Sequence, residues 1–321
     1  MGVKCINCGT QLTDFFDNID QFTNERFKIW ECRRCGIGQT EVASDIDLSL
    51  YYPKQYYGKQ NIRFNFIVEY LIRIFRRLRA RHIRSYSGLE SGRILDVGCG
   101  RGLMLAELKR YGWECFGIER SKIASEYARD VMGIKVETTG DLIGCGYPSA
   151  YFDVVCLWHV LEHMPAPLEV LKEIKRILKP NGLLFIEVPN FRSWQSMIAR
   201  NKWIYTEAPR HLYHFSPYGL NSILEHIGFD CIKRSTYSLE FGFFGMIQSL
   251  LNLFCPKSNF LFFLMGNHHR RTTIAWTMPF IINLLLLLLL ILPCLIIGVF
   301  LETLACMFGR GGVCRSVYRR K

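Results

Sequence analysis

Arg93-Ile-Leu-Asp-Val-Gly-Cys-Gly-Arg-Gly102 is the stretch whose reading decides the rest. A short apolar run around Asp96 ends in glycines at alternate positions, Gly98, Gly100 and Gly102. The following Leu103-Met-Leu-Ala-Glu-Leu-Lys-Arg-Tyr-Gly112 has helical periodicity and stops at a glycine. A strand, a glycine turn and a helix in this order open a nucleotide-binding α/β unit. The glycines let a ligand approach backbone amides, and the helix N-terminus offers a place for an anionic group. Glycine spacing alone is weak evidence. Here a second apolar run, Cys115-Phe-Gly-Ile-Glu119, ends in an acid 21 residues beyond Gly98, where a ribose-binding carboxylate belongs.

The alternation continues downstream. Ser121–Gly133 reads as a helix, Ile134–Thr139 as a strand, and Phe152–Trp158 as a buried strand. Pro167–Gly182 reads as an amphipathic helix closed by Pro180-Asn-Gly182. Leu183–Val188 is the next strand, ended by Pro189. This order predicts an α/β fold with a doubly wound, mostly parallel Rossmann-like sheet.

These residues carry a resemblance. DVGCGRG, GIE, FDVVCLWHVLEHM and ILKPNGLLFIEVPN, followed by APRHLYHFSPYGLNSILEHIGF, resemble class I S-adenosylmethionine-dependent methyltransferases over roughly Leu89 to Tyr237. Within them the chain is similar to the subgroup with EH after strand four and a PRHL-type loop. It departs from the usual pattern in having KPNG where KPGG is common, a change that asparagine's tolerance of left-handed dihedrals allows.

The resemblance implies S-adenosylmethionine as cofactor. Asp96, Gly98, Gly100 and Gly102 hold its methionine end, Glu119 accepts the ribose hydroxyls, and Asp141 lies near the adenine amine, with Trp158 among the cofactor residues. Either carboxylate can instead be a solvated loop acid. A nicotinamide cofactor is the competing ligand, disfavoured by the GxGxG spacing and the flanking motifs.

Moving a methyl group requires an aligned nucleophile and exclusion of water. A hydroxyl or amine acceptor also needs a base. His163 is the first candidate and His159 the second, because both follow strand four at its ligand-binding edge and imidazole titrates near neutral pH. His211 joins them as a candidate catalytic residue. The competing reading is that the EH pair only fixes its loop. Arg210, Tyr213 and His214 are candidates to grip an anionic or polyhydroxylated acceptor, and otherwise cap nearby helices.

The flanks add chemistry of their own. Cys5-Ile-Asn-Cys8-Gly and Cys32-Arg-Arg-Cys35-Gly bracket a run suited to a hairpin. Four thiolates so spaced suit a tetrahedral structural zinc ion, with no position open to substrate. The thirteen cysteines and an N-terminus lacking an apolar core region suggest a reducing compartment. Arg63, Arg73, Arg76, Arg77, Arg79, Arg81 and Arg84 crowd a helical segment with apolar Phe64, Ile67, Val68, Leu71, Phe75 and Leu78 at helical spacing. This pattern suits either an anionic lipid surface or a helix that covers the core with its arginines in water.

Thr272 to Gly309 has 38 residues and one charge, Glu302. It is long enough for one tilted span, or for two short ones folded at Pro293. Basic residues flank both ends: His268, His269, Arg270 and Arg271 before, Arg310, Arg315, Arg319, Arg320 and Lys321 after. Both flanks ask for the cytoplasmic side, which favours a hairpin or re-entrant insertion over a single span. The ending Gly312–Arg319 is rich in β formers and suits a last strand of the catalytic sheet, beside Cys231–Tyr237.

The expected organisation is a zinc-ribbon-like unit at 1–45, a linker and basic helix at 46–88, a methyltransferase core at 89–237, a membrane-associated insertion at 238–311 and a final strand at 312–321. The expected function is methyl transfer to a lipid-linked or amphipathic acceptor, such as a glycolipid, a polyprenyl-linked sugar or a quinone-like molecule. The enzyme is then membrane-associated, with its catalytic domain in the cytoplasm. The net charge of +12 fits an anionic membrane surface. An RNA methyltransferase and a non-catalytic cofactor-binding scaffold are the rivals. The apolar insertion disfavours nucleic acid, and nothing in the pattern bears on oligomeric state.

Overall fold

The computed structural model describes residues 3–43, 46–52, 64–266 and 277–321. Arg63, His268, His269, Arg270, Arg271 and the start of the apolar stretch at Thr272 lie outside the described residues.

At the front, β1 (Thr13–Ile19) and β2 (Arg26–Glu31) form an antiparallel hairpin, and β3 (Gly38–Thr40) adds to β2. The fourth strand of this small sheet comes from far downstream. β9 (Tyr213–His214) pairs with β3, Gly38 opposite His214 and Gln39 opposite Tyr213. Close approach requires glycine at position 38, where a Cβ would sit 2.7 Å from the Phe191 ring.

The large sheet is built around β4 (Arg93–Val97), the strand of the opening motif. Its other members are β5 (Glu114–Ile118), β6 (Lys135–Glu137), β7 (Phe152–Trp158), β8 (Leu178–Pro189), β10 (Phe229–Ser235) and β11 (Val313–Arg320). The order is β10-β11-β8-β7-β4-β5-β6. β7, β4, β5 and β6 run parallel with β8, and β11 is antiparallel to both its neighbours. Helices α2 (Leu103–Lys109), α3 (Lys122–Asp130), α4 (Pro167–Ile177) and α6 (Pro217–Ile227) cover the faces. This is the mostly parallel Rossmann-like sheet expected from the alternation. One boundary differs. The chain leaves the helix at Ile177 and is already extended at Leu178, five residues before the expected strand start. Pro180 explains this, because a residue before proline is pushed out of the helical region.

The basic segment is α1 (Phe66–Ser87), started by Asn65, whose side chain accepts from Val68 N at 3.1 Å, and stopped by left-handed Gly88. Ala80 and Ile83 anchor it on the sheet. Neither reading of its faces holds throughout. Arg79 is buried and Arg76 is turned inward, whereas Ile67, Leu71 and Leu78 are exposed. The inner side of the helix meets a polar cavity and Glu240 along Glu69–Arg79, and the apolar core only at Ala80 and Ile83.

Beyond β10 the chain forms α7 (Gly242–Phe254), α8 (Phe260–Met265) and α9 (Met278–Met307). α7 is buried almost all round, between α9 and the short α5 (Trp194–Ala199) with its following turn. α9 is one helix, continuous through Pro293, so the chain does not fold back at that proline. It is long and apolar enough to cross a membrane by length and composition. The chain then returns through Gly309–Gly312 to β11.

Candidate active site

The ends of β4, β5 and β7 open onto a cavity of about 300 Å³. Its wall includes Asp96, Gly98, Gly100, Glu119 and Trp158 from the sheet side. Gly98 takes a φ of +75°, and a Cβ there would lie 2.5 Å from Val160 Cγ2, so both backbone and space exclude a side chain. Glu119 bridges the loop: Oε2 accepts from Gly100 N at 2.9 Å and Oε1 from Ser121 N at 2.7 Å. Asp96 is buried, and its Oδ1 has no hydrogen-bond partner among the described residues. Burial pushes its carboxyl up to about 7, partly offset by Arg79 and Arg76.

The roof was not legible in the motif. α1 contributes Glu69, Ile72, Arg76 and Arg79 to the cavity wall. Glu69 pairs with Arg101 of the glycine loop. Arg76 reaches Glu240 at 3.0 Å and Arg79 reaches it at 2.7 Å, while the Arg79 guanidinium lies 4.5 Å from the Trp158 ring centre.

These donors fit the cofactor that the resemblance implies. An unpartnered buried carboxylate, Asp96, suits a cationic amino group. Arg76, Arg79 and Arg101 suit the carboxylate beside it, and Glu119 is at hand for vicinal hydroxyls. Two expected cofactor residues stand apart from this wall. Gly102 caps α2 and packs toward Ala128, where a Cβ would be 3.1 Å away. Asp141 is exposed and accepts from Ile143 N at 3.0 Å, closing its own turn.

The segment after β7 turns sharply at His159, whose φ is +56°, and forms a 3-10 turn over Leu161–His163. His159 is not placed as a base. Its Nε2 is 3.1 Å from Glu187 and its Nδ1 3.5 Å from Glu162, with the Phe241 ring centre 3.9 Å away and tilted by 38°. Burial opposes its charge, but these two carboxylates outweigh burial and raise it to about 9. A protonated imidazole between two carboxylates has no lone pair to offer. Glu187 responds in kind: burial works against its ionisation, yet His159 and Arg79 hold it down at about 2.

His163 is different. Its Nδ1 is 2.9 Å from the Arg210 carbonyl and 3.1 Å from the Tyr52 hydroxyl. A carbonyl only accepts, so Nδ1 carries a proton and Nε2 is the ring nitrogen left to face other groups. His211 is held in the same way, with Nδ1 2.8 Å from the Tyr205 carbonyl. Burial, with His163 and His214 nearby, keeps it well below the usual imidazole range. Glu162, His163 and His211 offer ligand atoms within 4.8 Å of one another, an arrangement that also suits a divalent cation.

The PRHL stretch is used differently from the expected acceptor grip. Arg210 is 2% exposed, and its Nη1 lies 2.6 Å from Asp20 Oδ1 of the β1–β2 turn and 3.1 Å from the Tyr51 carbonyl. His214 meets the Thr40 hydroxyl at 3.0 Å, and burial lowers it to about 3. Tyr213 is in β9, its hydroxyl donating to the Pro165 carbonyl at 3.3 Å. All three residues hold the N-terminal sheet against the core. Their partners are far away in the chain, so the sequence carried no sign of this.

At the other end of that sheet, Cys5, Cys8, Cys32 and Cys35 converge. Their sulfurs lie within 4.8 Å of one another, with Cys5 to Cys35 at 3.4 Å and Cys8 to Cys32 at 3.5 Å. Four sulfurs at this spacing fit a tetrahedral zinc ion.

A family model described as a methyltransferase domain matches residues 64–234, more than half of the chain. Similar curated proteins include two named Ubiquinone biosynthesis O-methyltransferase. The one from Nitrosococcus oceani is 34% identical over 123 residues, covering 35% of this chain and 50% of that protein. The one from Alkalilimnicola ehrlichii is 37% identical over 110 residues, covering 32% and 44%. The chain thus spans about half the length of the curated relatives it matches. Among solved structures, a SAM dependent methyltransferase from Archaeoglobus fulgidus aligns with a TM-score of 0.47 at 23% identity, over 76% of this chain and 94% of the other.

Proposed function

This chain belongs to the methyltransferase domain family, and from that premise we propose that it methylates a hydroxyl of a quinone-like, isoprenoid acceptor at a membrane surface. The observation that carries the catalytic part is the unpartnered Asp96 carboxylate, buried in a cavity walled by the glycine loop and Glu119. The acceptor class is supported by the names of the similar proteins and by the exposed apolar length of α9.

S-adenosylmethionine, when bound, supplies an electrophilic methyl group on a sulfonium. Asp96 holds the amino group, Arg76, Arg79 and Arg101 hold the carboxylate, and Glu119 holds the ribose. α1 roofs the cavity and keeps water out through the Glu69–Arg101 and Arg79–Glu240 pairs. His163 Nε2 takes the acceptor hydroxyl's proton, its ring fixed by the Arg210 carbonyl. His159 is a positioning residue that ties the segment to Glu187. The four-cysteine site binds zinc and keeps the N-terminal sheet folded, and through Asp20 and β3 that sheet holds the Arg210 loop.

The test is transfer of labelled methyl from the cofactor into membranes, followed by separation into lipid, saccharide and RNA pools. Label is expected in the lipid pool, and His163→Gln is expected to lower kcat by roughly 10²–10⁴-fold with little change in cofactor affinity. Label confined to RNA overturns the reading.

A further inference from the structure

α9 is packed against the protein along its whole length. Near its C-terminal end, Glu302 accepts from Gly312 N at 2.7 Å and from Gln195 at 3.0 Å. At mid-length, a Cβ on Gly298 would meet Ile247 of α7 at 2.8 Å. Toward its N-terminal end, Asn283 accepts from Lys257 N at 3.0 Å, and Phe280 packs on Phe260 with ring centres 5.4 Å apart. Asn283 and Glu302 are 19 positions apart, a rise of ~28 Å, close to the ~30 Å thickness of bilayer hydrocarbon.

A crossing helix therefore carries the surroundings of its two ends to opposite sides of the membrane. Beyond the Phe260–Phe280 contact, the surroundings of the Asn283 end include polar groups of the N-terminal sheet and of the loop before β9. Asn259 donates to Gln21 at 3.3 Å, Asn252 to the Lys202 carbonyl at 2.9 Å, and Asn18 to the Asn201 carbonyl at 2.9 Å. Taking these groups to the far side draws loops and sheet edges through hydrocarbon, which backbone polarity forbids.

We infer that α9 lies along a single leaflet, a docking face for the lipid bilayer rather than a span; this rests on the membrane reading above and specifies its geometry. The outer face has the required composition. Leu285, Leu288, Leu289, Leu292, Ile296 and Phe300 share one side of the helix and are each more than 60% exposed. An apolar strip of this length is foreign to a surface that meets only water. Where α9 ends, Gly309 and Arg310 line a cleft of about 400 Å³ together with Arg33, Arg34, Arg192 and Arg234. Arg192 pairs with Glu31 at 2.9 Å, whereas Arg33, Arg34 and Arg234 make no ion pair among the described residues. Guanidinium groups so placed complement anionic headgroups at the rim of the immersed face. Gly266 at the end of α8 bridges to Phe64, a cavity-wall residue, which ties the segment before α9 to the roofed cavity.

The test uses the full chain with phosphatidylglycerol vesicles and a nitroxide-bearing non-natural residue placed in turn at Leu285, Leu292 and Phe300. Relaxation by oxygen against an aqueous nickel complex is expected to give one common depth at all three. A gradient along the ~22 Å between the outer two, or a maximum at Leu292, overturns the inference while leaving membrane binding intact. Failure of the chain to sediment with vesicles overturns both the inference and the membrane reading. The double variant Arg234→Gln/Arg310→Gln is expected to bind phosphatidylglycerol vesicles about 25-fold more weakly and phosphatidylcholine vesicles unchanged. Equal binding to phosphatidylglycerol removes the cleft from the docking face.

Discussion

Two titrations follow from single side chains. With its carboxyl raised to about 7 by burial, Asp96 is only partly ionised near neutrality, and in the role proposed for it only the ionised form pairs with the cofactor's amino group. Cofactor affinity is expected to rise about tenfold per pH unit on approach to 7 and to level off above it. Asp96→Asn flattens that dependence, as calorimetric titration at pH 6, 7 and 8 checks. His159 and Glu187 set a stability window. A histidine raised from 6.5 to about 9 contributes stability that is fully present below 6.5 and lost as pH climbs through 9. A glutamate lowered from 4.5 to about 2 contributes above 4.5 and loses its contribution as pH falls toward 2. The pair therefore contributes fully between 4.5 and 6.5. Urea midpoints are expected to drop from pH 6.5 to pH 9 in the parent chain, and less steeply in His159→Gln, which starts about 3–5 kcal/mol less stable.

At the scale of the element, the N-terminal sheet grips the Arg210 loop through β9 and the Arg210–Asp20 ion pair. Arg210→Ala takes away the cation paired with Asp20 Oδ1 and leaves the buried carboxylate only the Phe22 and Thr23 donors on Oδ2, so a loss of about 3–5 kcal/mol is expected. Removing the metal from the four-cysteine site by chelation is expected to release about one zinc per chain and loosen the loop 205–214. Limited proteolysis checks the loop, and metal analysis checks the ion. An acceptor-binding Arg210 predicts a raised KM at unchanged stability instead.

The same element shows which links the sequence carries. The strands and helices between Arg93 and Val188 were legible because their signals are local: apolar runs, a glycine turn, helical period. The cysteine pairs were legible because chelation fixes their spacing. β9 was not, since a two-residue strand has no period and takes its place from β3, some 170 residues earlier. Arg79 looked like any other arginine of a basic helix until Glu240, 161 residues away, was beside it.

For the molecule as a whole, the place of β11 decides what the C-terminal region is for. The matched family segment ends at residue 234, so Met278–Lys321 resembles a dispensable anchor on an otherwise complete enzyme. The pairings contradict that. Val313–Arg319 pairs residue by residue with Pro189–Leu183 of β8, and the other edge of β11 holds β10. Tyr318 and Val317 are buried in the two core layers on either side of the sheet. Removing β11 leaves β10 without a neighbour and opens the edge of β8, an aggregation-prone surface. Truncation after Thr277 is therefore expected to give insoluble protein, not a soluble active enzyme. Removing residues 312–321 alone is expected to do the same, although it leaves α9 intact. Soluble yield and far-ultraviolet circular dichroism of the two truncations check this. A soluble, cofactor-binding chain ending at Thr277 would show that α9 is an appendage, whereas loss of fold in both makes it part of a connection between two strands of the large sheet.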